Sequence, residues 1–519
     1  MPLKPHIAWL KVLLALILIA VSCSCERNSS KTISAKESGQ TVRWGSRIAY
    51  QVLVDRFFDG DPKNNTAKVQ KSNPLYYQGG DLEGLRQKLP GLKDLGVSLL
   101  ILNPISNSTS YHGYDVLDLR EINPQLGTFS DLKALTSDAH SLGILVILDL
   151  VVNHAGPESP LPIQWFRRGA SSDALNDRFR WERRTSMSIF NLREYALESG
   201  EVYAYLWSAA KQFADQGIDG FAFDSMQLVE PWFWKKFIKD IKQYAGRDFL
   251  TIGASYSPLQ SVLQPYSPHF DAILDFRHHQ ALRNVVERDV SSNEILFALD
   301  QRKLFRKELL HFNFLDHDSL PRLTSIVPGA FHREKMEQAL VLLFSQPGIP
   351  LLLYGEEFGL KNDKRLTHVP FSVGRTPMIF EKSPSDDYSH LIRRLSDLRG
   401  LFNFSSEDRE DMGGNMTSPF LLTILRDVSG TLLAIHNVSP EGRTAVVNLE
   451  NITDMRGQIV VDALTGEEFQ VIDTIFRLAM RPYQSRLLVT RQNYQKLSKI
   501  IDPIPSVDKP KTKVAPKSK

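Results

Sequence analysis

The chain contains eight short apolar runs that alternate with segments of helical periodicity. This alternation is typical of parallel β/α units. Eight such units predict an α/β fold in the form of a (β/α)8 TIM barrel, whose active site lies at the C-terminal strand ends. The candidate strands are Ile48–Val54, Leu99–Leu102, Ile144–Val151, Gly220–Phe223, Leu250–Ile252, Ala272–Leu274, His311–Phe314 and Pro350–Leu353. The amphipathic segments between them include Asp131–Leu142, Val202–Asp215, Phe233–Tyr244 and Lys335–Phe344.

The pattern changes near residue 400, where short alternating runs follow one another without helical segments between them. Such runs predict a small antiparallel β domain. We therefore assign residues 43–400 to the barrel, with a short loop insertion after the third strand, and residues 401–492 to a C-terminal antiparallel β-sandwich. Residues 493–519 are rich in Pro and Lys, and we expect them to form a disordered basic tail.

The N-terminus has the features of an export signal. Lys4 and Lys11 flank the start of an apolar run, Val12–Val21, which is too short for a comfortable membrane span. We therefore interpret residues 1–23 as a secretory or lipoprotein signal. The polar residues 24–42 that follow are interpreted as a linker.

The chain has two cysteines, Cys23 and Cys25, and both lie at the end of this signal. The segment Ala20-Val-Ser-Cys23 resembles the lipidation box of bacterial lipoproteins. We therefore expect an exported protein, and a lipid anchor at Cys23 would make it a membrane-anchored lipoprotein. Two alternatives stay open: a cleaved signal and a secreted protein, or a retained short signal anchor.

The net charge argues against a nucleic-acid partner. The formal charge is +3, and part of it belongs to the basic C-terminal run Lys509–Lys519. The remaining protein is therefore close to neutral, without the basic stripe that phosphate backbones require.

Several predicted strands lead into polar residues, which a barrel would bring to one rim. The third leads into Asp149-Leu-Val-Val-Asn-His154, the fourth into Asp224, the fifth into Gly253-Ala254, and the seventh into Leu315-Asp-His-Asp318. Tyr111-His-Gly-Tyr-Asp115 and Tyr354-Gly-Glu-Glu-Phe358 follow the second and eighth strands. In this order, the segments resemble the α-amylase family of glycoside hydrolases, over about residues 47–490.

The resemblance implies carboxylates that flank a glycosidic bond, one attacking the anomeric carbon and one protonating the departing oxygen. By this resemblance Asp224 is the nucleophile, and Asp318 holds the hydroxyls of the distorted sugar. His154 and His317 would donate hydrogen bonds to the sugar, and Tyr114 would stack on its ring. The implied partner is an α-glucan or an oligosaccharide. Because a lone Asp at a strand end is often a cap for the next helix, a capping role for Asp224 is the alternative interpretation.

Two departures from the family pattern affect the chemistry. The family has a Glu as general acid where this chain has Ala254, and an Arg two residues before the nucleophile where this chain has Ala222. The second position normally orients the nucleophile and keeps it ionised. A positioned general acid contributes roughly 10²–10⁴-fold to the rate. Ordinary glycosidase activity is therefore expected to be weak or absent.

A second predicted site lies near the N-terminal end of the barrel. The segment Asp55–Asn65, followed by Gly79-Gly-Asp81, resembles the calcium loop of cyclodextrin glycosyltransferases and maltogenic amylases. Carboxylate, amide and backbone oxygens on a tight loop suit the flexible coordination shell of Ca²⁺. The alternative is a solvated polar turn. The candidate ligands are Asp59, Asp61, Asn64, Asn65, the Gly79 carbonyl and Asp81.

Three functions stay open at this point. The first is an exported α-amylase-like protein that binds α-glucans with weak or absent glycosidase activity. The second is an active, retaining α-glucan hydrolase or transferase, with Asp224 as nucleophile and an unrecognised acid. The third is a non-catalytic partner domain, as in the amino-acid transporter heavy chains, which resemble this family.

Overall fold

A computed structural model describes residues 44–167, 191–327, 329–369, 371–380, 387–402, 404, 409–410 and 419–498. The export signal, the linker, Cys23 and most of the loop insertion after the third barrel strand lie outside these residues. Within the described residues, no helix is long and apolar enough to cross a membrane.

Eight parallel strands close into a barrel, as the sequence predicts. In the circular order β1-β8-β7-β6-β5-β4-β3-β2, each strand is hydrogen-bonded to the next. The (β/α)8 TIM barrel is thus confirmed. The strands are β1 (Ala49–Val52), β2 (Leu99–Leu102), β3 (Leu145–Asp149), β4 (Gly220–Phe223), β5 (Leu250–Gly253), β6 (Ala272–Leu274), β7 (Leu310–Phe314) and β8 (Ile349–Leu353).

Helices surround the barrel. They are α1 (Leu82–Asp94), α2 (Phe129–Ser141), α3 (Gly200–Ala214), α4 (Pro231–Ala245), α5 (Gln260–Leu263), α6 (Phe276–Arg288), α7 (Asn293–Gln301), α8 (Leu323–Ile326), α9 (His332–Ser345) and α10 (Ser389–Leu401). Short 3₁₀ turns span Trp44–Ser46, Val54–Arg56, Ile163–Trp165, Met226–Leu228, Arg302–Leu304, Glu356–Phe358 and Lys364–Leu366. Two short antiparallel pairs, Ser106–Ser108 with Val116–Ile122 and His154–Ala155 with Arg193–Glu194, lie in the loops after β2 and β3.

Local sequence explains where these helices begin and which face they bury. Helix α2 begins at a capping box, in which Thr128 and Asp131 satisfy each other's backbone N–H groups. Helix α4 begins with Pro231 at its first turn, where a missing N–H costs nothing. Its buried face repeats every three to four residues, and each fully buried side chain contributes about 1.5–3 kcal/mol. This face consists of Phe233, Trp234, Phe237, Ile238 and Ile241.

The barrel has two apolar layers. The inner layer fills the barrel with side chains from all around it, including Ile101, Ile147, Ile252, Phe312 and Leu351. The outer layer lies between the strands and the helices. A filled interior means that the barrel is a rigid support, and the rim at the C-terminal strand ends is where side chains are available to a ligand.

The C-terminal domain consists of two antiparallel sheets. One has six strands in the order β9-β10-β11-β16-β13-β14, and the other pairs β12 with β15. Apolar side chains from both sheets, such as Leu433 and Leu478, form one core between them. The strands are β9 (Arg409–Glu410), β10 (Phe420–Asp427), β11 (Gly430–Asn437), β12 (Arg443–Asn448), β13 (Ile459–Asp462), β14 (Glu468–Gln470), β15 (Ile475–Met480) and β16 (Ser485–Thr490).

The chain stays ordered past the predicted end of this domain. Helix α11 spans Arg491–Ser498, with Leu497 fully buried, and the Asn493 side chain donates a hydrogen bond to the Ser429 carbonyl at 2.8 Å. The prediction that disorder begins at residue 493 is therefore wrong for residues 493–498, because this short amphipathic helix packs on the sheet. Residues 499–519 lie outside the described part of the chain.

Candidate functional site

A narrow cavity opens at the C-terminal ends of the barrel strands. Its enclosed space is about 20 Å³, which is room for about one water molecule and too little for a sugar ring. A ring would therefore have to lie above it. Three of the five predicted sugar-site residues, Tyr114, Asp224 and His317, contribute to its wall. The complete lining is Gln51, Ile101, Tyr114, Asp149, Ala222, Asp224, Ile252, Ala254, Leu274, His317 and Leu351.

Asp224 directly follows β4 and is partly exposed to this cavity. Its Oδ2 accepts a hydrogen bond from the Ser225 hydroxyl at 3.0 Å, and Ser225 has a left-handed backbone (φ 52°). Ser225, rather than Asp224, directly precedes the next 3₁₀ turn. Asp224 is therefore not the cap residue of that turn. Burial raises the pKa of Asp224, whereas the nearby His317 lowers it.

Tyr114 connects two polar groups of the rim. Its hydroxyl donates to Asp149 Oδ2 at 2.8 Å, and the Asn103 amide donates to that hydroxyl at 3.2 Å. His154 Nε2 donates to the Tyr114 carbonyl at 3.0 Å, because a carbonyl can only accept. Burial lowers the pKa of His154 to about 4, so its ring is neutral at pH 7. His154 therefore orients Tyr114 through its backbone.

Asp318 is not among the residues that line the cavity, and it is completely buried. Its Oδ2 accepts from Arg375 Nε at 2.9 Å, and its Oδ1 lies 3.1 Å from His317 Nδ1 and accepts from the Ser319 hydroxyl at 3.2 Å. Burial alone would raise the pKa of Asp318, but Arg375 and His317 hold it below its usual value. Asp318 is thus an ionised carboxylate with both oxygens occupied.

Arg375 is a functional-site residue that the sequence did not reveal. It lies in the segment after β8, and its guanidinium carbon is 5.6 Å from the centre of the Tyr114 ring. The preceding Gly374 allows this approach, because a Cβ there would be 2.6 Å from the carbonyl oxygens of His317 and Leu320. The sequence signal available for Arg375 was the glycine before it, but neither a predicted strand nor a motif marks this position.

Next to Asp224, the cavity wall lacks an acid. Ala254, whose backbone N–H donates to the Phe223 carbonyl at 3.0 Å, and Ala222 line this part of the cavity together with apolar residues. Glu357 accepts a hydrogen bond from the Tyr50 hydroxyl at 2.8 Å, and Glu356 accepts one from the Leu353 N–H. Both are buried in the barrel top. Among the described residues, the carboxyl groups that line the cavity therefore belong to Asp149 and Asp224.

The predicted calcium loop also brings its residues together. Asp59 Oδ1, Asn64 Oδ1 and Asn65 Oδ1 are buried oxygens with no hydrogen-bond partner among the described residues. A Cβ on Gly79 would be 2.7 Å from Asn65 Oδ1 and 3.1 Å from Asp59 Oδ2, so the glycine leaves room in front of them. Three buried, unpaired oxygens on one loop are the kind of group that coordinates a cation such as Ca²⁺.

Asp81 and Asp61 have structural roles in the same loop. Asp81 is buried and begins helix α1, because its Oδ1 accepts from the Gly84 N–H at 2.6 Å. Its Oδ2 accepts from the Asp61 N–H at 2.8 Å and the Asn64 amide at 3.1 Å, which fixes the loop to the helix. Asp61 Oδ1 accepts from the Lys63 N–H in a local turn. The predicted ligand set thus narrows to Asp59, Asn64, Asn65 and Gly79.

The family model of the alpha amylase catalytic domain matches residues 51–188 and 181–390, which is more than half of the 519-residue chain. This chain belongs to the α-amylase family. It is 29% identical over 492 residues to neopullulanase 2 from Thermoactinomyces vulgaris, an alignment that covers 88% of this chain and 80% of the relative. Membership in the family therefore rests on the match over most of the chain and not on the residues at positions 222 and 254.

Two further proteins that are similar to this chain support the same family assignment. A cyclomaltodextrin glucanotransferase from Geobacillus stearothermophilus is 29% identical over 396 residues, 67% of this chain, which spans only 54% of that relative. The crystal structure of an Anoxybacillus α-amylase superposes with a TM-score of 0.76 at 25% identity, over 87% of this chain and 98% of that one. These proteins support a function on α-glucans.

Proposed function

We propose that this protein binds α-glucans or oligosaccharides at the barrel rim and has weak or absent glycosidase activity. Tyr114, Asp224 and His317 form the sugar-facing wall, and Asp318 and His154 support it from behind. The observation that carries the proposal is the apolar wall around Ala254, where a leaving-group oxygen would need a proton. Without that proton, a sugar hydroxyl is a poor leaving group.

The proposed site retains the first half of a retaining mechanism. An Asp224 carboxylate oxygen would bond to the anomeric carbon while the bond from that carbon to the leaving group breaks. With fluoride as leaving group no proton is needed, whereas a sugar alkoxide must be protonated. Glycosyl fluorides and natural glucans therefore separate the nucleophile from the acid.

The proposal is tested by turnover of α-maltosyl fluoride and of maltooligosaccharides, with Asp224→Ala as the control. We expect cleavage of the fluoride alone, lost in the variant. Cleavage of both substrates would instead support an acid from residues 168–190 or another segment outside the described residues. If neither is cleaved and maltooligosaccharides do not bind, the protein is better explained as a partner domain without a sugar site.

We also propose that the loop formed by Asp59, Asn64, Asn65 and Gly79 binds Ca²⁺. Its hard oxygen ligands suit that ion, and three of them are buried without another partner. The ion would bind two distant parts of the loop to each other and would supply stability rather than chemistry. Lys71, whose side chain is 64% exposed, holds Asp59 Oδ2 at 2.9 Å and could move away when the ion binds.

Export with a lipid on Cys23 is our proposal for its location. It rests on the apolar N-terminal run and on the segment that ends in Cys23. Expression of the full chain in a bacterial host should place it in the membrane fraction, and Cys23→Ala should release it from that fraction. A native protein found only in the soluble exported fraction would exclude the anchor.

A further inference from the structure

Two buried oxygen atoms in the cavity wall have no hydrogen-bond donor. They are Gln51 Oε1 and Asp149 Oδ1, on side chains that are 5% and 6% exposed. Both side chains line the same enclosed space, which has room for about one water molecule. Leaving a buried acceptor unpaired costs about 1–3 kcal/mol. Gln51 Oε1 can only accept a hydrogen bond, and the same is true of Asp149 Oδ1 when Asp149 is ionised.

The surroundings of Asp149 contain negative charge without a compensating ion pair. Its carboxylate accepts hydrogen bonds from the Tyr114 hydroxyl and from the backbone N–H of Asp224. The ionised groups with the largest effect on it are the carboxylates of Asp224 and Asp318. Among the described residues, Arg375 pairs with Asp318, and no ion pair within 4 Å reaches Asp149 or Asp224.

The side chain of residue 222 is where a cation could reach both aspartates. Ala222 is the register partner of Asp149 across β3 and β4, lies two residues before Asp224, and lines the same cavity as both side chains. An arginine at this position would place a guanidinium beside both carboxylates. With alanine there, an ionised Asp149, which is buried, and an ionised Asp224, which is partly exposed, would repel each other, and the buried carboxylate loses its charge more readily.

We propose that Asp149 is protonated on Oδ1 near neutral pH and donates this proton to Gln51 Oε1, either directly or through one water molecule. One proton then converts two unpaired acceptors into a donor and an acceptor. The remaining negative charge stays on Asp224, which is partly exposed and has His317 and the Ser225 hydroxyl beside it. Burial together with the charge of Asp224 raises the pKa of Asp149 well above its usual value, in the same direction.

This arrangement gives Asp149 a positioning role. A neutral Asp149 still accepts from the Tyr114 hydroxyl and the Asp224 N–H, but it no longer opposes the charge of Asp224. It therefore keeps the nucleophile ionised in a site that has lost its arginine. The functional consequence rests on the proposed function, whereas the protonation state itself belongs to the protein without glucan.

Infrared difference spectroscopy on the purified protein at pH 7 tests the inference through the C=O stretch of a protonated carboxyl group. Several buried carboxyls contribute to this region, so the measurement compares native protein with Asp149→Asn, which is isosteric and permanently neutral. We expect Asp149→Asn to remove one carboxylic acid band. Ala222→Arg should remove the same band by ionising Asp149, and Ala222→Met, which adds similar length without charge, should keep it.

A band that is unchanged in both Asp149→Asn and Ala222→Arg would overturn the inference, as would a band that appears only after chelation of metal ions. Thermal unfolding of each variant checks that it is folded. If Asp149→Asn is not folded, the comparison of Ala222→Arg with Ala222→Met decides the outcome. The spectra are recorded without glucan. If the protein neither cleaves α-maltosyl fluoride nor binds maltooligosaccharides, the proposed function is contradicted and this result stays intact. An unchanged band, in turn, contradicts this inference and leaves the proposed function intact.

Discussion

The loop around Asp59 and the cavity around Asp149 share one observation, buried oxygens without a hydrogen-bond donor, but we propose a different positive partner for each region. In the loop, three such oxygens come from Asp59, Asn64 and Asn65, and Gly79 leaves space beside Asn65 Oδ1. In the cavity, two such oxygens, on Gln51 and Asp149, face a space with apolar walls.

The number and the kind of neighbours decide which positive species fits. A calcium ion needs six to eight oxygen ligands, and a loop with carboxylate, amide and backbone oxygens can supply most of them. The cavity offers far fewer, and Ile101, Ile252 and Leu274 supply none. A proton needs only one donor site and one acceptor, so it suits the cavity. The difference shows that an unpaired oxygen indicates a missing positive partner but does not identify it.

The largest effect should come from adding an acid to the cavity. Ala254→Glu places a carboxylic acid in the apolar wall next to Asp224, and it should increase turnover of maltooligosaccharides by roughly 10²–10⁴-fold. Ala254→Gln has nearly the same size without the transferable proton, and it should give no gain. An equal gain in both variants would show that the cavity wall needed volume rather than an acid.

Removing calcium should produce the next largest effect. With Ca²⁺ at about 100 times its dissociation constant, binding to the folded state alone adds about 2.7 kcal/mol to the free energy of unfolding. Thermal unfolding with and without a chelator measures this contribution. Asp59→Ala should abolish the shift, whereas Asp61→Ala, whose Oδ1 is engaged in a local turn, should retain it. The same shift in both variants would place the ion elsewhere.

Asp149→Asn should change how stability depends on pH. Because the folded state raises the pKa of Asp149, the native state binds a proton that the unfolded chain has lost, and native stability falls as pH rises above the usual Asp range. The slope is at most about 1.4 kcal/mol per pH unit for one group. The variant lacks this group, so its stability relative to the native protein should increase with pH. A constant difference would mean that Asp149 is ionised throughout.

The smallest effect concerns His154. Its pKa falls from 6.5 to about 4 in the folded protein, so only the unfolded chain takes up a proton between these values. Native stability should therefore fall as pH decreases from 6.5 to about 4. His154→Gln should cost about 1 kcal/mol at pH 7 through the weakened hydrogen bond to Tyr114, and it should show less of this acid-side loss. Urea unfolding at several pH values measures both.

Much of the fold was predictable, because buried parallel strands are continuous apolar runs. All eight barrel strands were located to within a few residues. In the C-terminal domain, strand β15 is difficult to recognise in the sequence because the exposed Ile475 and Ala479 hide its alternation, and β14 because it has only three residues. Helix α11 was not predicted because most of its residues are polar and Leu497 is its buried apolar residue.

Site residues were predictable only where polar side chains lie in the segment that follows a predicted strand. Asp224, Tyr114 and His317 were found in this way, and all three line the cavity. Arg375 and Gln51 were not, since the arginine reaches Asp318 from a loop 57 positions away in sequence and the glutamine lies within an apolar strand. The alternative roles of Asp81 and Asp61 depend on hydrogen bonds to backbone N–H groups, which a sequence does not show.

Mass spectrometry of the protein after incubation with α-maltosyl fluoride can show whether Asp224 works as a nucleophile without an acid. The residue missing as acid for the first step is also missing as base for the attack of water, so the covalent glycosyl-enzyme should accumulate. We predict a mass increase of one maltosyl unit on the peptide that contains Asp224, absent in Asp224→Ala. Fluoride release without such an adduct, or an adduct on another residue, would contradict the account.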